Sequence, residues 1–186
     1  GRVLTFHYLD AIIVGTYWPS SSFRTNSKTR RVLFESCFNN HVQKLKQCYP
    51  GKYLVVAGDL NIAPSSNDIS ISRPWIPDKF QDREVPNATK EDQQRFQNFL
   101  AGHKLIDTGV DYRKDLKGGW PYTWFCEPLR RTQVTGEGMR IDFILVDHKL
   151  IGEYEPVYSV MDDVQGSDHK PVLLELKPRN HESKDC

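Results

Sequence analysis

The chain has 186 residues, 38% hydrophobic and 26% charged, with a net charge of +1, which is enough for one domain with a sizeable core and an ordinary soluble composition. That balance excludes a composition-level basic nucleic-acid binder, although a basic face and an acidic site can cancel in the sum. Cys37, Cys48, Cys126 and Cys186 form no C-x-x-C pair, which points to reduced thiols rather than zinc; no apolar run approaches the ~20 residues that span a bilayer, and no signal peptide is visible.

In chain order, Val3 to Tyr8 and Ala11 to Trp18 are two apolar, β-branched or aromatic runs around Leu9-Asp10. They predict a hairpin, ended by Pro19 and three serines. A helix is predicted over Thr25 to Gln47, because Phe34, Phe38, Val42 and Leu45 recur on one face, and Pro50-Gly51 stops it. Arg30, Arg31, Lys44 and Lys46 fall at its polar positions, and the run Arg24, Lys28, Arg30 and Arg31 reads first as a solvated helix face and second, if its loop lies beside a site, as a set of phosphate contacts. Tyr53 to Ala57 is a nearly continuous apolar run, as in a fully buried strand. It runs into Gly58-Asp59-Leu60-Asn61.

Residues 64 to 88 are rich in Pro, Ser, Asn and Asp and read as one long loop. Thr89 is a predicted N-cap with Glu91 and Asp92 in the first turn; the helix reaches about Leu100, with Gly102 as its cap. Tyr122 to Cys126, Met139 to Val146, Val157 to Met161 and Lys170 to Leu176 are the remaining predicted strands, the last two pairing through Asp162 to Asp168. The charged tail from Pro178 predicts disorder. Strands outnumber interspersed helices, which fits a layered α/β sandwich. Trp18, Trp75 and Trp120 read as packing residues, and His7, His41, His103, His148 and His181 as isolated histidines.

Three segments place reactive groups at strand ends. Asp59 and Asn61 are two apart; in extended backbone they share a face, where a carboxylate can take a proton or hold a cation and an amide can bind phosphate. The competing reading is a turn, which both residue types favour. Asp142 lies within the apolar run Ile141-Asp-Phe-Ile-Leu-Val146 and needs a partner, because a lone buried carboxylate is costly. Arg140 or a histidine could serve. In Gly166-Ser-Asp-His-Lys-Pro171 the adjacent Asp168 and His169 diverge, so one can face a metal and the other a phosphate or a water.

Taken in order, Val56-Ala-Gly-Asp-Leu-Asn-Ile-Ala63, Met139-Arg-Ile-Asp-Phe-Ile-Leu-Val146 and Gly166-Ser-Asp-His-Lys-Pro171 resemble the signature set of the exonuclease III/AP endonuclease family, within the endonuclease/exonuclease/phosphatase superfamily. Tyr17-Trp-Pro19 and Tyr122-Thr-Trp-Phe125 are similar to two further family segments, so the likeness covers about residues 1 to 177. The inserted loop and the Gly-Asp-Leu-Asn-Ile-Ala-Pro wording resemble eukaryotic members, the AP endonuclease 2 type. The resemblance implies a four-layer α/β sandwich and a DNA-repair phosphodiesterase acting as a monomer on double-stranded DNA with abasic or blocked 3′ ends. It also implies Mg²⁺ or Mn²⁺ as cofactor and a nuclear or mitochondrial location.

By the same resemblance Asp59 activates water or protonates the leaving group, Asn61 holds the phosphate, and His169, oriented by Asp142, donates to it. Tyr17 and Ser20 bind phosphate; Asp168, with Asp59, Asn61 and His169, belongs to the metal site. Trp124, Met139 and Ile141 line the pocket for a flipped sugar, and Arg130 and Arg131 contact DNA. Two positions depart from the pattern: Ser20 replaces a common Asn and Met139 a common Trp, which tilts the expected preference from abasic sites toward 3′ ends. The family's opening strand and its metal-binding Glu segment have no counterpart in the sequence, and the chain begins with Gly1. The expectation is therefore a partial domain over 1–177 and a tail over 178–186, a fragment that binds Mg²⁺ poorly and need not fold or be active alone. The alternatives are a non-catalytic DNA-binding fragment, or a superfamily phosphodiesterase acting on lipid, inositol phosphate or RNA.

Overall fold

The computed structural model describes residues 1–22, 25–70, 85–110, 122–125 and 137–179. The hairpin forms as expected: β1 (Val3–Tyr8) pairs antiparallel with β2 (Ala11–Thr16) around Leu9, whose φ is 45°. Helix α1 (Ser27–Cys48) carries the chain across to β3 (Tyr53–Asp59), which pairs parallel with β2. Such a connection needs a crossover element, and α1 supplies it. The five-stranded sheet runs β1-β2-β3-β8-β5, where β5 is Leu105–Asp107 and β8 is Asp142–Asp147.

One face of this sheet holds the core. Register places Ile12 beside Leu54, Val14 beside Val56, and Val56 beside Leu145. Against these pack Phe38 and Val42 of α1 and Phe96 and Phe99 of α2 (Lys90–His103). Trp18 is buried among Phe34, Phe38 and Phe99, edge-on to each. The predicted apolar face of α1 is thus the observed one, with Phe34 and Leu45 at its margin.

Several expectations are corrected. Residues 64–70 are not featureless: Ser66–Asp68 is a 3₁₀ turn and Ile69–Ser70 is β4, which pairs with β7 (Gly138–Met139); residues 71–84 lie outside the described set. Helix α2 continues to His103, and Lys104, not Gly102, takes the left-handed cap. The extra turn is held because His103 packs edge-on to Phe99 and its ring bonds Asn39. The predicted strand from Met139 to Val146 is broken at Arg140 and Ile141, because its two halves pair with different sheets. Short elements without a legible period were not predicted: β5, and α3 (His148–Glu153), which is capped by Asp147.

Strand β6 is only Trp124–Phe125, and β9 (Tyr154–Val160) pairs with β10 (Val172–Pro178) as expected, though β10 passes the predicted 177 boundary. Residues 180–186, Cys126, Cys186, Trp75, Trp120, Arg24, Arg130 and Arg131 lie outside the described residues. Arg31, read as part of a solvated basic run, is instead fully buried. Among the described residues no helix is long and apolar enough to cross a membrane.

Candidate active site

The site lies where β3 ends and β8 begins. These strands are antiparallel, and Asp59 stands directly opposite Asp142. Cross-strand partners share a face, so the sheet register alone brings together two carboxylates 83 positions apart. Gly58, just before Asp59, lets β3 run close against the end of β2. Its φ is 139°, and a Cβ there would lie 2.0 Å from the Thr16 carbonyl oxygen. Beyond it, the Trp18 N–H reaches the Asp59 carbonyl at 2.9 Å and the Leu60 N–H reaches that of Ile141 at 2.9 Å.

Asn61 does not continue the strand. Its φ is 45°, and its backbone N–H and side-chain Nδ2 donate to the two oxygens of Asp59 at 2.8 and 2.9 Å. The turn reading of this spacing therefore holds locally. Nδ2 also donates to the Trp18 carbonyl at 3.0 Å. The amide thus turns its NH₂ toward Asp59, and Asn61 stands there as a donor rather than as an oxygen ligand beside it. Burial, reinforced by the nearby charge of Asp142, pushes the Asp59 carboxyl up to about 6, even though Asn61, His169 and Arg31 favour its ionised form.

Asp142 takes His169 as its partner, not Arg140. His169 Nδ1 lies 2.9 Å from Asp142 Oδ2. An ionised carboxylate only accepts, so Nδ1 carries the hydrogen and Nε2 is left for a substrate. Burial works against the charged ring, but the hydrogen bond and charge of Asp142, with Asp59 and Asp168 behind it, outweigh that, and the His169 pKa is raised. Arg140 goes elsewhere: fully buried, it donates through Nε to Asp68 at 2.7 Å and through Nη1 and Nη2 to Asp107 at 3.0 and 2.7 Å.

Thr123 is the residue that brings His169 into place. Its hydroxyl accepts from the N–H groups of Ile141 and Asp142, each at 3.0 Å. Its own N–H donates to Met139, and its carbonyl accepts the Lys170 N–H at 2.7 Å. The Phe125 N–H bonds the Asp168 carbonyl, and Trp124 bridges to His169. Residues 168–170 thus lie alongside β6, which pairs with β7 (Trp124 opposite Met139).

The remaining expected site residues are placed as follows. Asp168 is exposed, and its carboxylate accepts the Trp124 indole N–H at 3.0 Å. Tyr17 is 51% exposed with the Arg2 guanidinium 4.6 Å from its ring. Ser20 is half-buried and bonded to Asn87. Met139 and Ile141 are 3% and 4% exposed and form a small apolar cluster with Ala63, on which Trp124 packs; they make a floor beneath the site more than an open wall. Among the described residues no three His, Cys, Asp or Glu side chains come together as a metal-holding group; of the expected set, Asp59 and His169 both adjoin Asp142, while Asp168 is turned to Trp124.

Sequence reasoning missed three residues here: Thr123, Asn87 and Arg31. Arg31 Nη1 donates to the carbonyls of both Pro19 and Asn61 at 2.9 Å, tying α1 to the two loops that flank Asp59. None of the three carries a spacing signal; Thr123 lies inside the Tyr-Thr-Trp-Phe segment that was read for its tryptophan.

Comparison with known proteins places the chain among nucleases in sequence and fold. No family model matches the chain. A DNA-(apurinic or apyrimidinic site) endonuclease of Plasmodium berghei is 29% identical over 95% of the chain and 36% of its own length. Among solved structures, an AP endonuclease from Leishmania major aligns with a TM-score of 0.76 at 20% identity, covering 96% of this chain and 55% of that one. A 3′-5′ exonuclease from Neisseria meningitidis aligns at 0.74 and 24%, covering 95% and 65%. The chain spans 36% and 32% of the first two curated relatives it matches. The fold is the α/β fold of these nucleases.

Proposed function

We propose that the chain carries the catalytic strands of a DNA-repair phosphodiesterase that hydrolyses DNA at apurinic/apyrimidinic sites and at 3′ ends. The observation that supports it best is the convergence of Asp59, Asp142 and His169 on one face at adjoining strand ends. Phosphodiester hydrolysis needs an activated water and donors on the phosphate oxygens. Asp59, with its pKa near 6, is mostly ionised at neutral pH and can accept a proton from water. His169, fixed through Nδ1 by Asp142, offers Nε2–H to a phosphate oxygen. Asn61 holds the Asp59 carboxylate in one orientation.

A divalent cation, Mg²⁺ or Mn²⁺, enters this reading through the resemblance of the signature segments to the exonuclease III/AP endonuclease family. Among the described residues no group of three His, Cys, Asp or Glu side chains would hold it. A double-stranded DNA carrying one abasic site is the first substrate, and a recessed blocked 3′ end the second. The test is Mg²⁺-supported nicking by the protein, beside Asp59→Ala and His169→Ala. Loss of nicking in both variants is the expected result. Nicking that survives Asp59→Ala at the unaltered rate sinks the assignment.

A further inference from the structure

Asn87 lies 26 positions after Asn61, yet its side chain is 8% exposed and meets the site. Its φ of 65° is the left-handed region that Asn tolerates. The bland explanation is that Asn serves this turn. Glycine or aspartate would serve the turn as well, whereas the side chain here is fully used. Oδ1 accepts the Ser21 N–H at 2.7 Å and its hydroxyl at 3.0 Å. Nδ2 donates to the Ser20 hydroxyl at 3.1 Å and to Asn61 Oδ1 at 3.2 Å. The backbone is pinned too: the Asn87 N–H donates to the Ser21 hydroxyl at 2.9 Å and its carbonyl accepts the Ala63 N–H at 2.7 Å.

The direction of every bond in this chain is forced from both ends. At one end, the Trp18 carbonyl and the Asp59 carboxylate can only accept, so Asn61 must turn its NH₂ to them and its oxygen to Asn87. At the other, the Ser21 N–H can only donate, so Asn87 must turn its oxygen to Ser21 and its NH₂ to Asn61. The two demands agree.

We propose that Asn87 is a positioning residue: its amide locks the orientation of Asn61 and, through it, the carboxylate of Asp59. The turn at Asn87 is thereby tied to the end of β3, and Ser20 is joined to the same lock. The reaction under Proposed function enters only the activity arm of the test.

Two substitutions separate the lock from the turn. Asn87→Asp keeps the shape, the left-handed backbone and the acceptor for Ser21, and exchanges only the donor that faces Asn61. Asn87→Gly keeps the backbone and removes the amide. The first readout is hydrogen exchange of the Asn61 side-chain NH₂, followed by NMR on labelled protein. Both variants should speed it by about tenfold or more, because a lost buried donor frees the amide. The second is cleavage of abasic DNA, where kcat should fall about tenfold with KM within twofold. If Asn87→Asp leaves Asn61 exchange within twofold of the parent, Asn87 only makes the turn and the proposal is overturned. If one variant does not fold, the other decides by the same criterion. If the parent protein fails to cleave, the exchange arm still decides, and only the reading of function is lost.

Discussion

Arg140 is the position where one substitution tests the architecture behind the site most directly. It sits at the break between β7 and β8, two residues before Asp142, with its side chain fully buried. Its guanidinium is bonded to Asp68 of the 3₁₀ turn and, at two points, to Asp107 at the end of β5, and lies 4.6 Å over the Phe143 ring. Burial opposes the charge, but the two carboxylates more than offset it and hold the Arg140 pKa above its ordinary value. Arg140→Met keeps most of the apolar stem and removes the cation. It removes the cationic partner of two carboxylates that are 1% and 9% exposed, leaving Asp68 the Ser65 hydroxyl and Asp107 the Gly109 N–H.

Removing one partner of a buried ion pair costs about 3–5 kcal/mol. In urea, with a slope of about 2 kcal/mol per molar, the unfolding midpoint should fall by about 2 M. The loss should grow with pH. A buried carboxylate without its cation is costly chiefly in its charged form, so the folded variant should be least penalised in acid and most penalised at neutral pH and above. Adding Asp68→Asn and Asp107→Asn should restore at least half of the lost stability. Urea unfolding at pH 5 and pH 8 measures all of this. A loss below about 1 kcal/mol, or a loss equal at the two pH values, would refute the buried-pair reasoning.

Three further outcomes are expected. Cleavage should rise with pH through about 6 as Asp59 ionises, and fall again as His169 deprotonates above the ordinary histidine value; Asp142→Asn removes the charge that raises both groups, so both limbs of the kcat/KM profile should move to lower pH, and an unmoved acid limb would contradict the coupling. Thr123→Val leaves the Ile141 and Asp142 N–H groups without their acceptor and should cost about 1–3 kcal/mol in thermal unfolding, whereas Thr123→Ser should cost much less. Gly58→Ala puts a Cβ into the Thr16 carbonyl at a φ reserved for glycine and should destabilise by about 3 kcal/mol or more, read as loss of soluble folded protein.

Much of this protein follows from its sequence alone. The spacing of Phe34, Phe38, Val42 and Leu45 fixes which side of α1 is buried, because helical period and apolar burial are local properties. The unbroken run from Tyr53 makes β3 a central strand, and Leu9-Asp10 makes the first hairpin. Asp59, Asn61, Asp142 and His169 could be picked out because carboxylates, amides and imidazoles at the ends of apolar runs need a reason to be there.

The partners of these groups were another matter. Sequence left Asp142 between Arg140 and a histidine; only the break after β7 decided it, by turning Arg140 toward Asp68 and Asp107 and leaving His169 for Asp142. Arg31 looks like a surface cation in sequence, yet it is buried where two loops, with Pro19 and Asn61 42 positions apart, present carbonyls to it. Thr123 and Asn87 have no pattern to be read, since their work is to satisfy hydrogen bonds between segments that meet only when the sheets assemble. Local periodicity determines the elements and their buried faces; which polar group answers which is a long-range matching problem, and the tertiary structure alone resolves it.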